Sequence, residues 1–129
     1  METIGPLQLR VMHFLWRRGP ATVHAVLDHI NQTSGNAPLA YTTVLTVMRN
    51  LSRRHFLSQL PQGRSHLFTP LIDETSYKQG MLRQMRKDLF AGDVAGLLQF
   101  LCDDTEIEAS KREHIALTIK SLSQLQTHG

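Results

Sequence analysis

A single cysteine, Cys102, is all the thiol chemistry available in 129 residues. That excludes a disulfide within the chain and any cysteine-built metal site, and it suits a reducing cytoplasm. Long apolar runs are missing too. None reaches the ~18–20 residues that cross a bilayer, so no membrane partner is expected. The N-terminus lacks a basic stretch followed by an apolar run and a small-residue cleavage site, so no secretory leader is expected and the cytoplasm is the expected location. There is no internal repeat and no low-complexity tract. A nucleophile elbow, a phosphate loop and paired catalytic carboxylates are all absent, which points away from an enzyme. Seven histidines are present. His24 and His29 stand on different helix faces, and His13, His55, His66, His114 and His128 are scattered. None forms the i, i+4 pair or Cys/His cluster of a typical metal site, so neither metal nor cofactor is expected.

Acidic side chains are scarce in the first half. Residues 1–72 contain only Glu2 and Asp28, against Arg10, Arg17, Arg18, Arg49, Arg53, Arg54 and Arg64. The remainder is mildly acidic, within a total of +3. A basic half joined to an acidic half suggests that the first half meets a polyanion. At 41% apolar content, the chain suits one small domain, or a module of about 70 residues with an appendage. A core that small is marginal alone and invites a partner chain.

The pattern along the chain predicts three helices, a hairpin and three more helices. The first helix starts near Pro6, ends at Gly19-Pro20, and places Leu9, Met12, Leu15 and Trp16 on one face. The second starts after Thr22 as N-cap, with Val23, Val26, Leu27 and Ile30 at i, i+3, i+4, i+7. Asn31 to Pro38 reads as a loop. The third starts near Ala40 and repeats the stripe with Val44, Val47, Met48 and Leu51. Two strands, roughly 57–60 and 65–69, flank Pro61-Gln62-Gly63-Arg64, a turn signal. That order is a winged helix-turn-helix. Beyond it, Asp73 can cap a helix to about Phe90, with Tyr77, Met81, Met85 and Leu89 at i+4 steps. Gly92 breaks that helix. Asp93 opens a short helix with Val94, Leu97, Leu98 and Leu101. Thr105 and Glu108 suggest a capping box for the last helix, lined by Ile115, Ile119, Leu122 and Leu125. These stripes could fold back on the winged helix or pair with a second copy, and the second is the expectation, because a bundle this small rarely supports itself. The expected fold is mainly α with a small β-hairpin: a winged helix-turn-helix over 1–72 and a helical dimerisation region over 73–129.

The face of the third helix opposite its core stripe carries Thr42, Thr43, Thr46, Arg49, Asn50 and Arg53. These groups suit a major groove: threonine offers a hydroxyl and a methyl, asparagine can pair with adenine, arginine with guanine. Arg64 beside Gly63 at the hairpin tip can enter a minor groove or touch phosphate. Arg53 and Arg54 close the helix, where cations also suit the helix dipole.

Leu9-x-x-Met12-x-x-Leu15-Trp16, Ala21-Thr22-Val23, Leu39-Ala40-Tyr41-Thr42-Thr43-Val44, and Gly63-Arg64 with Phe68-Thr69-Pro70 together resemble the BlaI/MecI penicillinase-repressor family. The likeness is strongest over residues 4–72. It implies a repressor whose C-terminal helices interlock in a homodimer while two winged helices read a palindromic operator in double-stranded DNA. Tyr41, Thr42, Thr43 and Thr46 would lie on the recognition helix and Arg64 on the wing. The family usually has arginine where Asn50 stands here. In its antibiotic-responsive branch, a sensor-linked protease ends repression by cutting an Asn-Phe bond in the dimerisation region. The corresponding bond here is Gln99-Phe100. The copper-responsive branch uses a C-terminal cysteine cluster that this chain lacks. The competing reading is a winged-helix protein-interaction module that never touches DNA.

Overall fold

The computed structural model describes residues 3–128. Pro6 opens α1 (Pro6–Arg18), where the missing N–H costs nothing because first-turn amides have no intrahelical acceptor. The Gln8 side chain reaches back and accepts from the Gly5 amide at 2.8 Å. Gly19 ends the helix at φ 88° and returns its N–H to the Leu15 carbonyl, a conformation that side-chain-bearing residues rarely adopt. Thr22 caps α2 (Val23–Thr33), its hydroxyl oxygen accepting from the Ala25 amide at 3.3 Å. One side chain fixes the connection to α3 (Tyr41–Arg53): Asn31 accepts from the Leu39 N–H at 2.8 Å and donates to the Leu39 carbonyl at 3.2 Å. The three helices bury Val11, Met12 and Leu15, then Val23, Val26 and Ile30, then Val44, Met48 and Leu51. Phe56, Leu57 and Phe68 complete this core.

Strands β1 (Leu57–Gln62) and β2 (Ser65–Pro70) pair antiparallel, with Leu57 opposite Pro70 and Gln62 opposite Ser65. The ladder runs nearer the tip than expected, taking in Pro61 and Gln62 and leaving only Gly63 and Arg64 as the loop. Pro61 fits because both strands of a two-stranded sheet are edges, where an N–H need not be given. Gly63 sits at φ 61°, the positive value that a two-residue hairpin loop with glycine first requires. Ala21 and Phe68 exchange backbone hydrogen bonds of 3.1 and 2.9 Å, which ties the wing to the start of α2.

Helix α4 (Glu74–Phe90) follows. Its Asp73 N-cap accepts from the Ser76 amide at 2.6 Å. That amide, and after it the Ser76 side chain, favour the charged form and hold the Asp73 carboxyl below its ordinary pKa. A carboxylate depressed by folding stabilises at neutral pH, and the gain disappears as pH falls through the folded-state pKa. Asp73→Ala is therefore expected to lower the urea midpoint at neutral pH. The gap to the parent should close as the pH falls below the ordinary carboxylate range. A gap independent of pH would show that the Asp73 charge contributes nothing.

The chain divides into two compact units, Met1–Gln79 and Gly80–Gly129. The division falls within α4 rather than before it, because its first turns belong to the winged helix. Trp16 Nε1 donates to the Ile72 carbonyl at 2.8 Å. Tyr77, expected on a seam for a second copy, packs instead within its own chain: its ring lies 5.5 Å from Trp16 and 6.2 Å from Phe56 and is 7% exposed.

In the second unit, Ala91 and Gly92 adopt positive φ, and the chain turns from α4 into α5 (Val94–Cys102). Asp93 holds the N-cap position of α5 but makes no side-chain cap bond. The expected Thr105–Glu108 capping box does not form. Asp104 accepts from the Glu106 amide at 3.0 Å and draws the segment into a turn. Helix α6 (Ala109–His128) then begins with the Lys111 and Arg112 amides bonded to the Glu108 carbonyl. Helix α5 packs on α6. From Gly80 to Leu125 no side chain reaches full burial. Met81, Leu97, Leu98, Ile115, Ile119 and Leu122 are half-buried, while Met85 and Leu101 are exposed. No helix among the described residues is long and apolar enough to cross a membrane.

Candidate nucleic-acid interface

The stripe Val44, Met48, Leu51 turns one side of α3 into the core, and so turns the other outward. Tyr41, Thr42, Thr43, Thr46, Arg49 and Arg53 are all exposed there. Thr46 donates its hydroxyl to the Thr42 carbonyl at 2.8 Å, which fixes its rotamer and leaves the oxygen lone pairs and the methyl free to face a ligand. The Tyr41 ring leans on the His24 imidazole, with centroids 4.6 Å apart, so α2 steadies the first residue of α3.

Asn50 does not join this face as expected. Its Oδ1 accepts from Gln8 Nε2 at 2.8 Å, and it is half-buried against α1. Spent on this bond, its amide is a poor candidate for an adenine. The structure also separates the two arginines that close α3. Arg54 turns inward: Nη2 donates to the Thr3 carbonyl at 2.7 Å, Nη1 to Gln8 Oε1 at 3.4 Å, and the guanidinium lies 5.3 Å from the Phe56 ring. Arg53 stays exposed.

The wing returns toward α3. Arg49 and Arg64 line one cleft of about 230 Å³, together with Thr22, His24, Tyr41 and His66. Arg49 and Arg53 line a neighbouring recess with Thr46, Ser52 and Gln59. No carboxylate lines either. Thr22, His24, Gln59 and His66 were not expected here. Only the position of His24 in the first turn of α2 could have hinted at it, since that end of a helix-turn-helix meets the duplex. Each cation of this face is a guanidinium, and Lys78 is the first lysine of the chain. The arrangement is a convex helix flanked by a protruding tip, with planar five-donor cations on both. Such cations match phosphate oxygens and the guanine edge bidentately.

The other expected sites lie elsewhere. Gln99 and Phe100 are both exposed on α5, with Gln99 Nε2 donating to Asp103 Oδ1 at 3.0 Å. The Phe100 ring meets Phe90 edge-on at 5.3 Å. No cluster of His, Cys, Asp or Glu able to hold a metal occurs among the described residues.

Residues 4–121 match the family model described as penicillinase repressor. "Transcriptional regulator BlaI" of Mycobacterium tuberculosis is 32% identical over 83 residues, 64% of this chain. The chain spans 58% of that relative's length. "Penicillinase repressor" of Bacillus licheniformis is 26% identical over 102 residues, 78% of this chain and 77% of the relative. A solution structure of the DNA binding domain of the repressor BlaI is 28% identical, with a TM-score of 0.49. It covers 60% of this chain and 94% of that one.

Proposed function

The chain belongs to the penicillinase repressor family, and from that premise we propose that it is a homodimeric transcriptional repressor that binds palindromic operator DNA. The observation that carries the reading is the carboxylate-free face on which Arg49 and Arg64, from α3 and the wing, line one cleft. In this reading α3 enters the major groove. Thr43, Thr46 and Arg49 meet base edges, with Thr42 and Tyr41 at the entering end of the helix. Arg53 and Arg64 bind phosphate or reach the minor groove. Two copies joined through residues 80–129 would present two such helices to half-sites about 34–36 Å apart, or a multiple of that. The unburied side chains of that unit support the joining: a helical unit without a core of its own needs a second surface. Holding an operator calls for no reacting group, and none is part of this proposal.

The test is a gel shift on the duplex upstream of the chain's own coding region, across a salt series. Arg64→Ala is expected to weaken specific and random duplexes alike and to flatten the log–log salt slope by about 0.9. Thr43→Ala should instead cost about 1–3 kcal/mol on operator alone and relax base preference at one position. If no duplex is shifted at any salt, the winged helix is a protein-interaction module instead.

We place the end of repression at Gln99-Phe100. Both side chains are exposed on α5, a helix of 9 residues. A protease needs extended chain, so α5 must open first, and helices this short open readily. The cut would detach α6 from the winged helix. Immunoblots of the native host during induction should show a shortened chain as target genes switch on. Induction with the chain intact would exclude proteolysis as the switch.

A further inference from the structure

We propose that a recess between α1 and α2 binds a small organic anion carrying two or more carboxylate or phosphate charges, away from the DNA face. Its volume is about 300 Å³, the lower end of the range for small-molecule sites. Arg10, His13, Phe14, Arg17 and Arg18 line it at i, i+3, i+4, i+7 and i+8 of α1, and α2 adds His29. Two of its lining rings meet: Phe14 and His29 lie with centroids 4.8 Å apart and planes tilted by 47°. The Arg18 guanidinium stands 5.9 Å from the Phe14 ring. Arg10 Nη2 donates to the Ile30 carbonyl at 3.4 Å, which uses one of five guanidinium donors.

The cations here lack the acids that normally intersperse a solvated helix face. Helix α1 contains no Asp or Glu, and Asp28, the one acid of α2, is not among the lining residues. Among the described residues, Arg17 is the lining arginine with a carboxylate near it, its Nε 3.7 Å from Glu74 Oε1. Arg10 and Arg18 thus remain to clamp two anionic groups, with the ligand's body on Phe14. Guanidinium forks bind carboxylate and phosphate oxygens with the same geometry.

The recess faces away from the proposed duplex. His24 faces Tyr41 of α3, and His29 lies about 140° further around α2. On α1 it is Gln8, two residues before Arg10 and so on another side, that meets Asn50 of α3. The ligand would therefore not compete with DNA for its groups.

Trp16 is the only tryptophan of the chain, and its ring lies 5.6 Å from that of His13. Its fluorescence reports on the recess in the full-length protein. Sodium citrate and sodium glycerol 3-phosphate are titrated separately at ionic strength held constant with sodium chloride. A saturable change with either supports the site. Citrate alone assigns carboxylates, and the phosphate ester alone assigns phosphate. Arg10→Gln with Arg18→Gln should raise the half-saturating concentration at least about tenfold, whereas Arg49→Gln with Arg64→Gln should leave it unchanged. Should the first pair fail to fold, Arg18→Glu, on an exposed side chain, carries the same expectation. No saturable change with either anion overturns the proposal, as does a response lost with Arg49 and Arg64 rather than with Arg10 and Arg18. If the Arg10/Arg18 pair instead flattens the salt slope of DNA binding as Arg64→Ala does, the recess is a backbone contact and the proposal fails.

Discussion

Full-length protein carrying Met85→Asp and Leu101→Asp is expected to sediment as a monomer at micromolar concentration and to lose most of its operator affinity. Both side chains are already exposed in the single chain, at 43% and 40%, so the changes leave the winged helix intact. What they spoil is the proposed joining surface. Leu82, Leu89, Val94 and Phe100 of the same unit are exposed as well, and that much apolar surface on one small unit calls for a cover. A carboxylate buried at such a seam loses its hydration and costs several kcal/mol unless paired. With the copies apart, the second half-site no longer binds at high effective concentration, and affinity falls by about 10²–10⁴. Sedimentation and a gel shift on the same sample read both consequences. A variant that stays dimeric with unchanged operator affinity would show that these positions are not the seam.

Phe68→Ala should be the most damaging single change to stability. The ring is fully buried, and its backbone carries the two hydrogen bonds to Ala21. Truncating a buried phenylalanine costs about 3–5 kcal/mol, transfer and cavity together. A small domain has only about 5–15 kcal/mol in all. The melting temperature is expected to drop by more than about 12 °C, with the wing and its Arg64 loosened first. Leu60→Ala, on the same hairpin but 56% exposed, should change stability by no more than about 0.5 kcal/mol. Calorimetry on the two variants separates burial from hairpin membership. Equal melting temperatures would refute the account.

Much of this was legible in the residues, where local rules govern. Pro6, Thr22 and Asp73 each start a helix as their chemistry dictates. The α2 and α3 stripes supply Val23, Val26, Ile30, Val44, Met48 and Leu51 to the core, with Leu27 and Val47 half-buried at its margin. On α1 the expected Leu9 and Trp16 are half-buried, and Val11 takes the core place beside Met12 and Leu15. Most of the misses involve a partner distant in sequence, or a local competitor. Asn50 shares its stripe with Thr43, and nothing near it announces that Gln8, on another helix, will take its amide. Tyr77 continues a regular i+4 series with Met81 and Met85, and only Trp16 and Phe56 give it a different destination. At the start of α6 the competitor is local: Asp104 captures the Glu106 amide before Thr105 can act as a cap. On the wing, the turn signal Pro61-Gly63 is correct in kind, but pairing extends to Gln62 because an edge strand tolerates proline.

Acetylation of lysine side chains cannot discharge the proposed α3 and wing face. Acyl transfer neutralises an amine, and guanidinium is not a substrate for it. The cations of the α3 and wing face are all arginine, and no side-chain amine occurs before Lys78. A cell that changes its pool of acyl donors would alter Lys78, Lys87, Lys111 and Lys120, and leave Arg49, Arg53 and Arg64 at full charge. The same selectivity serves the bench. An amine-reactive dye can be attached through those four lysines without discharging the proposed DNA face, so a labelled preparation should keep the salt dependence of the unlabelled protein.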